Sequence, residues 1–262
     1  MKWSLFKKIR KDGSETAKGA ENLNQQSEKN NSERADEIFL EKVNERRQED
    51  PLVGAKIGAK ELVGNLINGM KDSKGVHIES LISILGSLAG YACQASLRKE
   101  YIENRGLQEN QVFVILEGAN GSRYYFGDMI NKPLAEDQMS VWSLAAGMAH
   151  HLGCSQFPDL DDIFKHVTST VGQDSYGIPR IPEEHKPGDI PYEYVANLWP
   201  MFLRTAERYC ASPLEWPVMG GMALQEVIQW GKDVLNPQLA LSIAMECAIP
   251  MAKADIKIKL EV

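Results

Sequence analysis

The stretch IESLISILGSLAGYACQASL, Ile78–Leu97, decides the fold of this chain. From Ser80 to Leu97 it has no charged residue, although 25% of the whole chain is charged. It is too long for an ordinary strand, and its apolar side chains occupy nearly every face of a helix, which is typical of a buried helix. A membrane span of about 17–25 residues is the alternative. Serines and a glutamine within the stretch favour burial in protein, so we predict the central helix of a globular domain.

The composition excludes some classes of function. The chain has 262 residues, 43% of them apolar, and a net charge of −7. These values are ordinary for a soluble globular protein. A general nucleic-acid binder needs a basic face to release phosphate counterions, so the acidic balance argues against nucleic-acid binding. No cleavable signal peptide is evident, because the N-terminus lacks a long apolar core.

The four cysteines indicate the redox compartment. Cys93, Cys154, Cys210 and Cys247 lie far apart and form no C-x-x-C pair. Three of them lie in apolar, helical surroundings, as reduced and buried thiols do. We therefore expect a cytoplasmic protein rather than a disulfide-stabilised secreted one.

The N-terminal segment MKWSLFKKIRK, residues 1–11, has five basic residues and no acidic one. A helix here would place Trp3 and Phe6 opposite Lys7 and Lys8. The stretches KW at 2–3 and LFKKI at 5–9 resemble the opening of the cecropins, which are membrane-active amphipathic peptides. The resemblance covers about eight residues and stops at the Asp-Gly pair that follows. It implies at most attachment to an anionic lipid surface; the alternative is a basic terminus that docks on its own domain.

Residues 12–35 are a polar tract that predicts a disordered linker. We expect one mostly helical domain over residues 36–262, with a first helix from Asp36 to before Pro51 and a glycine-rich helix over 52–70. The small residues of that glycine-rich helix are candidates to pack on the central helix. Further helices are predicted over Leu134–Leu152, Leu160–Val171, Pro191–Cys210, Val218–Leu235 and Pro237–Pro250.

One region has a clear β pattern. QVFVILE at 111–117 and RYYF at 123–126 flank an Asn-Gly turn, which is a strong hairpin signal. A two-stranded ribbon is marginally stable alone, so it needs helices or a third strand beside it. Ile256–Val262 alternates apolar and charged residues and is the candidate third strand. The predicted fold class is therefore mainly α (α+β), with a β-hairpin at about 111–127.

A loose cluster of metal-binding residue types follows the hairpin. His150 and Cys154 are spaced to share a helical face, and Asp162 and His166 are one turn apart on the next helix. Zinc needs three or four ligands of these types. These residues could instead cap a helix end or be buried. Cys154 could also be a nucleophile activated by His150 or His166, although no known catalytic spacing is present.

The loop over residues 172–189 contains several glycines and prolines and is longer than most loops within a domain. Arg180 could bind an anionic ligand there, and His185 with Glu184 could supply acid and base. A solvated connector stiffened by its prolines is the simpler alternative.

These observations favour a non-catalytic cytoplasmic interaction or adaptor protein. A protein partner is expected, and residues 1–11, through Trp3, Phe6, Lys7 and Lys8, are the candidate docking segment for that partner or for the inner membrane surface. The alternative is a metal-dependent or Cys/His hydrolase with its site between residues 150–166 and the 172–189 loop. The sequence leaves the cofactor unknown and the question of enzymatic activity open.

Overall fold

A computed structural model of the chain describes residues 34–118 and 121–259. The described residues fall into two units, which divide between residues 49 and 50. In the first unit, residues 34–46 form helix α1, close to the helix predicted from Asp36. The candidate docking segment, residues 1–11, and nearly all of the linker lie outside the described residues. The single domain over 36–262 stays a prediction.

The second unit is mainly α-helical with a small sheet, which confirms the predicted fold class. Two segments of π-helix, Arg98–Asn104 and Lys132–Glu136, directly follow α-helices, and short 3-10 turns cover Glu183–His185 and Pro213–Glu215. The other elements are α2 Val53–Met70, α3 Ile78–Leu97, α4 Glu109–Val112, β1 Val114–Glu117, β2 Arg123–Phe126, α5 Asp128–Asn131, α6 Val141–His151, α7 Leu160–Ser169, α8 Pro191–Tyr209, α9 Trp216–Gly231 and α10 Pro237–Met251.

The predicted central helix is α3, with the predicted bounds, and it packs on α10, α9 and α8. Glycine allows the closest of these approaches. A Cβ atom on Gly90 would lie 2.1 Å from the carbonyl oxygen of Ala248 in α10. The helix is long and apolar enough to cross a membrane, but 89% of its most apolar window is buried inside the protein. In this structure the surroundings of α3 are therefore protein.

The glycine-rich helix α2 packs elsewhere than expected. Its main neighbours are α9 and α8 rather than the central helix. A Cβ atom on Gly58 would lie 2.7 Å from the sulfur of Met219 and 3.3 Å from Cβ of Tyr209. The small-residue face of α3 is already occupied by α10 and α9, and this explains the difference.

The hairpin forms as predicted, with Ile115 opposite Tyr125 and Leu116 opposite Tyr124. The candidate third strand, Ile256–Val262, is wrong over its described residues 256–259, which form no strand; the segment just before it pairs with the hairpin instead. Residues 253–255 lie along β2, where the Tyr125 N–H donates to the Lys253 carbonyl at 2.8 Å. Beyond this point the described chain is not a strand, because it turns towards α8, and the Lys259 N–H donates to the Ala196 carbonyl at 2.9 Å.

Candidate functional site

The predicted pair His150 and Cys154 does not share a helical face. Helix α6 ends at His151, and Gly153 has a φ of +92°, so Cys154 lies beyond the helix in a turn. The exposed His150 ring stacks on Phe157 with centroids 6.3 Å apart. The buried Cys154 thiol donates to the Gln156 carbonyl at 3.1 Å. Both side chains hold the connection between α6 and α7.

The proposed metal ligands do not converge either. His150, Cys154, Asp162 and His166 all belong to the part of the chain that the structure describes. In that part no group of three or more His, Cys, Asp or Glu side chains is placed to hold a metal ion. Asp162 instead bonds to Arg180, with its Oδ2 atom 2.8 Å from Nη1.

The loop over residues 172–189, the surface loop, is joined to the rest of the fold by hydrogen bonds near both of its ends. At its start the Gly172 N–H donates to the hydroxyl of Tyr124 at 3.1 Å, and the Tyr176 hydroxyl donates to the Pro250 carbonyl at 2.9 Å. At its end the Gly188 N–H donates to the hydroxyl oxygen of Ser80 at 2.9 Å. These bonds fit the interpretation of a stiff connector, in which polar contacts replace a regular element.

Arg180, near the middle of this loop, is bound by two carboxylates. Its Nε donates to Oε1 of Glu246 at 3.0 Å, and its backbone N–H donates to Oε2 of the same side chain at 3.2 Å. The Asp162 contact uses the remaining end of the guanidinium. Glu246 is 8% exposed in this ion pair, whereas Arg180 is 37% exposed.

A shallow cavity of about 430 Å³ lies beside Arg180, and it is lined by Pro158, Asp159, Asp162, Ile163, Arg180, Ser242 and Glu246. It lies where the sequence placed an alternative enzyme site, between α7 and the surface loop. Its lining differs from the expected one, since it includes neither His150, Cys154, His166 nor His185. With three carboxylates and one guanidinium it is net acidic, so the cavity disfavours the anionic ligand expected for Arg180.

His185 is bound to Glu79 in the first turn of α3. Its Nδ1 lies 2.9 Å from Oε1 of Glu79, and Nε2 of His77 lies 3.2 Å from Oε2. His77 also caps the helix, since its Nδ1 accepts from the Ser80 N–H at 3.3 Å. Burial raises the pKa of Glu79, but the hydrogen bonds and the two histidines outweigh it and hold this pKa below its usual value. Glu184, the other half of the predicted acid–base pair, is exposed.

The structure also shows a buried amine that sequence reasoning missed. Lys253 is 2% exposed, and its Nζ donates to Oδ1 of Asn131 at 3.0 Å. The ammonium lies 5.0 Å from the ring centre of Phe126 and 5.2 Å from that of Phe164. Burial lowers the pKa of Lys253 to about 8. Its position next to the apolar end of α10 was the available signal, but lysine is normally exposed.

Two of the cysteines have unreactive thiols. Burial raises the pKa of the Cys93 thiol, and it raises the pKa of Cys247 to about 12. Both side chains therefore stay protonated at neutral pH, and a protonated thiol is a poor nucleophile. They contribute as small apolar groups in the core.

Comparisons of this chain with protein-family models, with curated proteins and with solved structures find no match.

Proposed function

We propose that this protein is a non-catalytic interaction protein of the cytoplasm that binds a protein partner. The observation that carries the proposal is the use made of the side chains that could do chemistry. Arg180 and His185 each form a bond that joins two distant segments of the fold, and the Cys154 thiol bonds to Gln156 within its own turn. Side chains bonded in this way stabilise the fold. This use of them favours a function carried out by binding at the protein surface.

The docking segment of the proposal is residues 1–11. Its basic charge and its apolar residues Trp3 and Phe6 suit either a groove on a partner or an anionic membrane surface. Membrane attachment by one short basic segment is weak, because stable anchoring generally takes two signals. A peripheral position at the inner membrane surface is therefore the secondary part of the proposal.

Affinity purification of the full-length protein tests the main part. A stoichiometric protein that co-purifies with the full chain and is lost on deletion of residues 1–11 supports the proposal. The matched control replaces residues 1–11 by an equally long Gly-Ser segment, which keeps the length and removes the chemistry. Equal recovery of the partner with all three chains contradicts docking through this segment.

Co-sedimentation with vesicles tests the membrane part. We expect pelleting with vesicles rich in phosphatidylserine, less with phosphatidylcholine alone, and a loss in the double variant Lys7→Glu with Lys8→Glu. The attraction rests on charge, so added salt weakens it. Equal pelleting of the full chain and the double variant contradicts it.

One observation favours the second candidate, a hydrolase between residues 150–166 and the surface loop. The cavity beside Arg180 lies in that place and has the carboxylates Asp159 and Asp162 in its lining. Hydrolysis of ester and phosphoester substrates that is lost in Asp162→Asn, with the fold intact, would move the assignment to the enzyme. Activity unchanged by this substitution would reject this site.

A further inference from the structure

Strand β1 is the outer strand of the hairpin. On its other side, β2 pairs with residues 253–255: the Tyr125 N–H donates to the Lys253 carbonyl at 2.8 Å, and the Asp255 N–H donates to the Arg123 carbonyl at 3.2 Å. Arg123 and Tyr125 therefore direct these backbone groups away from β1. The sheet has one closed edge, along residues 253–255, and one edge formed by β1.

The register shows which backbone groups point outward from β1. In an antiparallel pair, residues alternate between those bonded to the neighbour and those facing away. Ile115 lies opposite Tyr125, and Glu117 lies opposite Arg123. Since Tyr125 and Arg123 face away from β1, Ile115 and Glu117 face away from β2. Their N–H and C=O groups form an outer edge, and no described residue hydrogen-bonds to it.

The side chains along this edge are apolar and exposed. Val114 is 57% exposed and Leu116 is 40% exposed, and the two project from the same face. On that face of β2, Tyr124 is covered by Tyr176 of the surface loop, with ring centres 4.6 Å apart. The loop thus covers the β2 side and leaves the β1 side open. Edge strands are commonly protected by lysine or proline, and Val114–Glu117 contains neither.

We infer that this edge binds an extended segment of a partner protein, which adds to β1 as a further strand. The outward-facing N–H and C=O groups match a polypeptide backbone, and Val114 and Leu116 select apolar side chains at alternate positions. The inference rests on the proposed function, because it names a binding surface of an interaction protein. It concerns a surface separate from residues 1–11.

Charge gives the partner a further feature. The Glu117 carboxylate is exposed and forms no ion pair with any described residue. Its cross-strand neighbour Arg123 bonds to Glu109 instead. A lysine or arginine of the added strand, placed beside Glu117, completes the pair. A second copy of this chain fits less well, because self-pairing of two β1 strands brings no cation to Glu117.

The test uses a fluorescein-labelled synthetic peptide with valine at alternate positions and lysine or threonine between them. A second peptide replaces each lysine by glutamate. Binding to the full-length protein is measured by fluorescence anisotropy. We expect the lysine peptide to bind more tightly than the glutamate peptide, because only the former can pair with Glu117.

Two substitutions at one position separate backbone pairing from charge. Glu117→Pro removes the outward N–H without touching the bonds between β1 and β2, and it should weaken the lysine peptide by about tenfold or more. Glu117→Thr keeps the N–H and removes the charge, so it should abolish the preference for lysine over glutamate while binding persists. Thermal unfolding of both variants checks that the hairpin is retained.

Three results would overturn the inference. Binding of the peptide to Glu117→Pro as tightly as to the natural chain excludes strand addition, and so does the absence of binding at millimolar peptide. Concentration-dependent dimers that Glu117→Pro abolishes would assign the edge to a second copy. Partner capture by residues 1–11 is measured separately, so loss of one surface leaves the other assessable.

Discussion

The interface between α3 and α10 and the surface loop both hold α10, but by different physical means. Ala244 and Ala248 lie on the face of α10 towards α3, where glycines bring the two backbones together without charged groups. Glu246 and Pro250 lie on the opposite face, where they accept hydrogen bonds from Arg180 and Tyr176. One helix therefore has a close-packed side and a side held by separate polar bonds.

The difference between the two faces predicts how far the effect of a substitution extends through the structure. Close packing of backbone on backbone allows no local adjustment, so one added methyl group disturbs the whole interface. Polar bonds of the loop are independent of one another, and each contributes about 1 kcal/mol, or more where a charge is buried. Substitutions in the interface should unfold the protein, and substitutions in the loop should release only the loop.

The largest loss of stability is expected for Gly90→Ala. Its new Cβ would lie 2.1 Å from the Ala248 carbonyl oxygen and 2.7 Å from the Ala248 Cα, so α3 and α10 must separate. We expect the free energy of unfolding in urea to fall by about 3 kcal/mol or more.

Two further glycine-to-alanine substitutions test whether the loss of stability depends on how closely the glycine is packed. Gly58→Ala meets the flexible Met219 side chain and should cost less. Gly147→Ala, on an open surface of α6 with nothing within 4 Å, should stabilise by up to about 1 kcal/mol. Equal stabilities of the Gly90 and Gly147 variants would contradict the close-packed interface.

The second effect concerns Lys253, a charged group at the apolar end of α10. Its pKa of about 8 in the folded protein lies below the 10.5 of an exposed lysine. The unfolded chain therefore binds more protons between these values, and this group makes stability rise with pH, by about 3 kcal/mol at most.

Unfolding of the natural chain and of Lys253→Met, compared from pH 7 to pH 10, isolates this contribution. The other titrating groups are common to both proteins, so the difference between the two curves reports Lys253. We expect the advantage of Lys253→Met to shrink as the pH rises through 8. Parallel curves would show that the amine is not buried as described.

Much of the fold follows from local pattern, whereas the candidate site does not. An uncharged stretch as long as Ser80–Leu97 must be buried, so the central helix is predictable, as is a hairpin with an Asn-Gly turn. Which helices pack on the central helix is not predictable from local pattern, because several helices carry small residues. His185 and Glu79 are 106 positions apart, and Arg180 and Glu246 are 66 apart, so no local pattern relates them.

For the pair His150 and Cys154 a local pattern does exist, but the arrangement that it predicts is wrong. Their spacing predicts one helical face, but the helix ends one residue after His150, and a glycine with positive φ turns the chain away. The helix predicted over Leu134–Leu152 already ends before Cys154, so a four-residue spacing alone does not place the thiol on the helical face of His150. A ligand pattern at a helix end therefore depends on the last turn, where boundaries are least predictable.

The third effect tests the polar side of α10. Arg180→Met leaves the Glu246 carboxylate buried without its ion pair. Because Arg180 is 37% exposed, solvent screens the pair, and we expect a loss of about 2 kcal/mol rather than the value for a fully buried pair. Hydrogen exchange should increase in residues 172–189 and remain unchanged in α3.

The control for Arg180→Met is Lys186→Met in the same loop. Lys186 pairs with Glu183 at an exposed position, and such pairs contribute little. Adding Glu246→Gln to Arg180→Met should recover part of the loss, since it removes the buried charge. If Arg180→Met increased exchange in α3 as much as in the loop, the two faces of α10 would not be independent.

The smallest effect is expected at Glu79, where the surface loop meets the first turn of α3. Glu79→Gln should cost about 1 kcal/mol at neutral pH, less than the roughly 1.5–3 kcal/mol of a hydrogen bond to a charged group, because the glutamine oxygen still accepts a hydrogen bond. The folded pKa of Glu79 lies below the 4.5 of an exposed glutamate, so its contribution is complete above pH 4.5 and is lost as the pH falls through the lowered value. Urea unfolding at pH 7 and pH 3 should show a larger difference between the two proteins at pH 7 than at pH 3. His185→Ala should cost more than His77→Ala, because His77 is 54% exposed against 30% for His185 and makes the longer contact. The reverse order would mean that the helix cap, rather than the loop, depends on this carboxylate.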